Sequence, residues 1–142
     1  MRGIIDYLDF LECLEVIKGW LILDNGVAIV YKLDAKYIER TIYFDVENGD
    51  KYTLFEALLE EMIKIKDEKE RELFRDIVVL CRVRLINELQ KEIDNMENDL
   101  KNSVVEERLL PTINYYKKVL DYLNKSGELD LPLKYKDIGK ML

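Results

Sequence analysis

Histidine is missing altogether from this chain of 142 residues. That removes the side chain that most often shuttles protons near neutral pH, and a common metal ligand, so such chemistry would fall to other residues. Proline and glycine are scarce, at 2 and 6 residues, and neither occurs between Asp50 and Leu110. A turn-rich β architecture is therefore excluded over the middle of the chain. The 2 cysteines, Cys13 and Cys81, stand far apart among apolar residues and match no metal-ligand spacing, which predicts two buried thiols. A disulfide joining them is the alternative that a thermophilic cytosol permits. Long hydrophobic runs are lacking too. The strongest, Ile77 to Ile86, is short and carries Arg82 and Arg84, against about 20 apolar residues needed to cross a bilayer. Asp6, Asp9, Glu12 and Glu15 interrupt the stretch where a secretory signal needs an apolar core. The expectation is a cytoplasmic protein with no membrane partner.

What is present describes a globular chain: 49% hydrophobic residues, enough for a real core at this length. Charged residues reach 36%, above the rough quarter typical of soluble proteins. Lysine and glutamate dominate, and Gln90 is the sole glutamine. That bias resembles thermophile proteomes and suggests a thermophilic source, archaeal or archaeal-viral. The formal net charge of -7 disfavours a nonspecific nucleic-acid binder and favours basic partners.

The periodicities predict one domain spanning 1–142: a helix over 1–18, a small β element over 20–50, a helical bundle over 53–125 and a docking tail over 128–142. Ile4, Leu8, Leu11, Leu14 and Ile17 recur at helical spacing, and the helix should end near Gly19. Trp20–Leu23 and Val27–Leu33 flank Asp24-Asn25-Gly26, a hairpin signal because Asn and Gly tolerate positive φ. Tyr37 to Val46 reads as a third strand, with Ile38, Ile42, Phe44 and Val46 on one side. Thr53 and Glu56 suggest a capping box, and Asp67 an N-cap after a short break. A long helix then carries Phe74, Ile77, Val78, Cys81, Leu85, Leu89, Ile93, Met96 and Leu100 on a slowly drifting stripe. Leu85, with Ile77 and Cys81, should be buried. Ser103 with Glu106 offers another capping box. Pro111 suits the first turn of the next helix, whose buried side is Ile113, Tyr116, Val119, Leu120 and Leu123, and Gly127 should end it. The fold class is thus α+β, predominantly α: a helical bundle with a long central helix and a small antiparallel β-hairpin or three-stranded element near the N-terminus.

No catalytic set emerges, and the expectation is a non-enzyme without cofactor or metal. Glu60 with Glu61, Asp67 with Glu68, and Glu106 with Glu107 read as solvated faces. An enzyme with its carboxylates in a cleft between sheet and bundle would draw on Asp45 and Glu47 near a strand end, nominal candidates that surface placement explains more simply. Asp94, Asn95, Glu97, Asn98 and Asp99 lack the glycine and ligand order of an EF-hand loop. No glycine-rich phosphate loop exists. Ser103 and Ser126 lack a conventional activating base. Candidate partner-binding residues are Arg71, Arg75 and Arg82 on the long helix, with Tyr115, Lys117 and Lys118 as a second group, because arginine and tyrosine are favoured at interfaces. The bland alternative lays the arginine stems along the core and pairs their heads locally, as Arg84 with Glu88.

Phe74-Arg75-Asp76-Ile77 to Arg84-Leu85-Ile86, followed by Leu110-Pro111 and Tyr115-Tyr116, resembles the helical subunits of the archaeal GINS replication complex over residues 50–123 or so. The resemblance implies a non-catalytic subunit bridging helicase and polymerase factors. The leading expectation is a protein–protein interaction or assembly subunit that self-associates or binds a protein partner. The alternative is an accessory factor of a replication or transcription machine, or a nucleic-acid-binding regulator.

Overall fold

The computed structural model describes residues 2–102 and 106–129. Its order is α1 (Arg2–Cys13), β1 (Gly19–Leu23), β2 (Gly26–Leu33), β3 (Lys36–Tyr43), α2 (Lys51–Lys64), α3 (Glu68–Asn102) and α4 (Glu106–Leu129). The fold is α+β and mostly α, with a three-stranded antiparallel sheet ordered β1-β2-β3 near the N-terminus. Two compact units divide the chain, residues 1–81 and 82–142.

In the first unit, α1 buries Ile4, Tyr7, Leu8 and Leu11. It stops at Cys13 rather than near Gly19, because Glu15 takes a left-handed conformation (φ 62). The Glu15 N–H bonds to the Glu12 carbonyl and the Val16 N–H to the Leu11 carbonyl, the paired bonds of a Schellman ending. Sequence alone places that left-handed residue at a glycine, so a glutamate there hides the stop. Leu14 is consequently exposed while Ile17 is buried.

The first hairpin forms where expected, Leu23 pairing with Gly26 across Asp24-Asn25. Neither Asn25 nor Gly26 has positive φ; the left-handed residue of the sheet is Asp34 (φ 57), in the β2–β3 turn. Gly26 serves a different need. A Cβ there would collide with the Ile42 carbonyl of β3, so glycine lets the two backbones approach.

β3 ends at Tyr43, short of Val46. Asp45 accepts hydrogen bonds from the Asn48 backbone N–H (3.2 Å) and Nδ2 (2.9 Å), which turns the chain away from the sheet and buries Val46. The cap of α2 is Asp50, not Thr53: its carboxylate accepts from the N–H groups of Tyr52 and Thr53, and Thr53 Oγ1 accepts from the Asp50 N–H at 2.7 Å. The box is the expected device one turn earlier. Asp67 caps α3 as expected, accepting from the Glu70 N–H at 2.9 Å. Phe74, Ile77, Val78 and Cys81 of α3 are all fully buried, and the Phe74 ring meets Tyr31 edge-on at 5.9 Å. Cys13 departs from expectation: it is exposed at the end of α1, Cys81 is buried, and both are free thiols.

In the second unit, Leu85, Leu89, Ile93 and Met96 continue the α3 stripe as buried residues. Ile93 and Met96 cluster with Ile113 of α4, and Leu100, Leu109, Tyr116 and Leu120 pack around them. α4 begins at Glu106, so Pro111 lies inside it rather than in its first turn. Pro111 is exposed, where water can satisfy the carbonyl that its missing N–H leaves unpaired. The helix also runs through Ser126 and Gly127 to Leu129, glycine's penalty of about 1 kcal/mol in a helix being small against the rest of the segment. Ser103 and residues 130–142 of the expected tail lie outside the described residues. No helix among the described residues is long and apolar enough to cross a membrane.

Candidate functional site

Alternation along β3 puts Ile38, Arg40 and Ile42 on one sheet face, and their partners across the ladder are Tyr31, Ile29 and Val27. Arg40 is therefore a cation in an apolar register, directed toward the core of the first unit. It is met there on three sides. Nε donates to the Tyr31 hydroxyl at 3.1 Å, Nη1 to Glu61 Oε1 of α2 at 2.8 Å, and Nη2 to Glu70 Oε2 of α3 at 3.0 Å. The guanidinium fork suits this three-way contact. Glu61 and Glu70 keep only 15% and 11% of their side-chain exposure, so Glu61 is no solvated surface charge. Its tie to Arg40 across 21 positions of sequence is a tertiary contact that local spacing cannot show.

Burial works against the Arg40 charge, but the Tyr31 and Glu61 bonds and the Glu70 charge override it and hold its pKa above the ordinary value. Burial likewise raises the Tyr31 phenol above its ordinary 10.0; the Arg40 bond pulls it back and Glu70 adds to the rise. Nearby, Lys69 in the first turn of α3 pairs with Asp34 of the β2–β3 turn. That bond raises the lysine pKa. The network ties the sheet to α2 and to the first turns of α3.

An open groove lies beside it. Tyr43, Phe44, Asp45, Asn48 and Gly49 form one side, Thr53, Glu56, Ala57 and Glu60 of α2 the other, enclosing about 320 Å³. Adjacent glutamates of α2 thus divide their roles, Glu61 turning to Arg40 and Glu60 lining the groove. Asn48 holds the Asp45 carboxyl below its ordinary pKa through its side-chain and backbone bonds. Glu47 is exposed and does not line the groove.

The candidates from sequence are distributed over both units. Arg71 donates to the Ile65 carbonyl at 3.4 Å, bracing the α2–α3 connection; Arg75 is exposed on the same helix. In the second unit Arg82 is half-buried, and Arg84 sits 3.6 Å from Glu88, the local pairing that the spacing suggests. Tyr115 is exposed with its ring 6.1 Å from that of Tyr116. Lys117 bonds Glu97 at 2.8 Å and Lys118 is exposed, so half of that basic pair is already neutralised. Asp94 accepts from Gln90. Among the described residues no three His, Cys, Asp or Glu side chains converge to hold a metal ion.

Arg40 escaped the sequence reading, whereas of the two cleft candidates Asp45 lines the groove and Glu47 does not. The signal for Arg40 was present, a charge at the inward phase of a strand between two isoleucines. The rest of the groove carried no such signal, because its two sides come from a turn and a helix that only the tertiary fold opposes. No protein-family model, curated protein or solved structure matches the chain.

Proposed function

We propose that the protein is a non-enzymatic interaction or assembly subunit that binds through the outer face of its sheet. By strand alternation Leu21, Leu23, Ala28, Val30, Lys32, Tyr37, Glu39, Thr41 and Tyr43 share that face. Leu21, Tyr37 and Tyr43 are 62%, 67% and 69% exposed, and this is the observation that carries the reading. Tyrosine combines apolar area with a polar tip suited to interaction surfaces. The nucleic-acid alternative has less support, since Lys117 is engaged by Glu97 and the net charge is negative. Size-exclusion chromatography with light scattering tests self-association. The expected result is a mass above the monomer that Leu21→Asp or Tyr37→Asp returns to the monomer. A strict monomer at high micromolar concentration overturns self-association through this face.

A further inference from the structure

The sheet has two edges, and only one is guarded. β3 carries Lys36, Glu39 and Arg40, and Arg40 is tied to α2; charges on an edge strand discourage another strand from adding to it. β1, Gly19-Trp20-Leu21-Ile22-Leu23, has no charge and no proline. It is half-buried or exposed along its whole length, and among the described residues β2 is the only strand beside it. The hydrogen-bond phase fixes which backbone groups it offers. The Phe44 N–H donates to the Asn25 carbonyl at 3.0 Å, so odd-numbered residues of β2 bond toward β3 and even-numbered ones toward β1. The Val30 carbonyl accordingly accepts from the Lys18 N–H at 2.6 Å. Gly26, Ala28 and Val30 face Leu23, Leu21 and Gly19, which leaves the N–H and C=O of Trp20 and Ile22 directed to the open edge.

We propose that the β1 strands of two copies of this chain pair antiparallel about a twofold axis at Leu21, joining their sheets into one. Resting on the self-association reading above, this names the contact that holds the copies together. The strand itself selects the register. With the axis at Leu21, Trp20 stands opposite the second copy's Ile22, so the edge-directed groups of both exchange N–H···O bonds. Leu21, 62% exposed in the single chain, meets its own counterpart at the close, non-hydrogen-bonded position where side chains touch. Just beyond the strand, Lys18 stands opposite Asp24 at both ends of the pair, and both residues are exposed. An axis at Trp20 or Ile22 keeps the phase but pairs less of the strand, and sets Lys18 against Ile22 or Asp24 against Trp20. The net charge of -7 makes two copies repel in general; this register brings opposite charges together where they meet, and the twofold axis closes the assembly at two copies.

The test combines light scattering over a concentration series with amide hydrogen exchange of the full chain. Expected is a dimer in which the Trp20 and Ile22 amides exchange slowly and become fast on dilution, while the Leu21 amide, paired with Ala28 inside the hairpin, is slow throughout. Lys18→Glu and Asp24→Lys should each weaken the dimer about two- to thirtyfold, because the axis counts twice an exposed cross-strand charge pair worth about 1.4- to fivefold. Both changes in one chain put opposite charges together again and should restore the dimer. A strict monomer, a dimer whose Trp20 and Ile22 amides stay fast, or a double variant no tighter than the single ones each overturn the pairing. So does a monomer in which those two amides are slow, since another segment then occupies the edge. A dimer that Tyr37→Asp dissociates and the charge variants do not is packed face to face, which removes the edge pairing and keeps the outer-face reading. A dimer that the charge variants dissociate and Tyr37→Asp does not keeps the pairing and removes the outer-face contact.

Discussion

Replacing Arg40 by methionine keeps much of its apolar stem and deletes its charge, so the consequence falls on the partners left behind. Glu61 and Glu70, at 15% and 11% side-chain exposure, lose the cation between them, and the Tyr31 hydroxyl loses the Nε donor. Stranding one side of a buried ion pair costs about 3–5 kcal/mol. Arg40 itself retains 25% exposure, so water screens part of the loss and the lower end, about 3 kcal/mol, is expected. Against a typical domain stability of about 5–15 kcal/mol that is a large fraction. Trp20, the single tryptophan, lies in β1 of the same unit, so its fluorescence in a urea titration reports this unit directly. With a slope of about 1–3 kcal/mol per molar urea, the midpoint should fall by about 1–3 M. The triple variant Arg40→Met, Glu61→Gln, Glu70→Gln should recover more than half of the loss, because no uncompensated charge stays buried. A cost for Arg40→Met below about 1 kcal/mol, the level of a surface ion pair, would refute the reasoning; so would a triple variant less stable than the single one.

Three further outcomes are expected. Gly26→Ala should destabilise the sheet by about 1–3 kcal/mol, the range for overpacking, since its Cβ meets the Ile42 carbonyl; a Trp20-monitored melt unchanged from wild type would contradict the close approach. Tyr31 holds its proton more tightly folded than unfolded, its pKa lying above 10.0, so the stability it contributes is intact below about pH 10 and is lost as the pH rises through the folded pKa. Urea midpoints measured above pH 10 should fall less steeply for Tyr31→Phe than for wild type. Leu85→Ala should cost about 2–5 kcal/mol, the range for a buried leucine, given its full burial; a circular-dichroism melt showing less than about 1 kcal/mol would mean that the α3 stripe is not packed there.

What the sequence by itself determined is whatever depends on neighbours a few positions away. The α3 stripe from Phe74 to Met96 is buried as its three- and four-residue spacing requires, because a helix turns that spacing into a single apolar side. Asp67 caps α3, and Asp24-Asn25 closes the first hairpin, through bonds that span three residues or fewer. Failures at element ends have the same local origin. Glu15 takes a conformation that composition reserves for glycine, and Asp50 displaces Thr53 because either could have capped α2. The tertiary structure alone decided what depends on distant segments meeting. Glu61 looks like Glu60 along the chain, yet one is drawn to an arginine on β3 and the other lines an open groove. Gly26 looks like a turn glycine, yet its necessity comes from a strand it touches only after folding. Long-range approach of this kind leaves no periodicity to read, since it is set by how sheet and helices close on a shared core, and the candidate site is built from it.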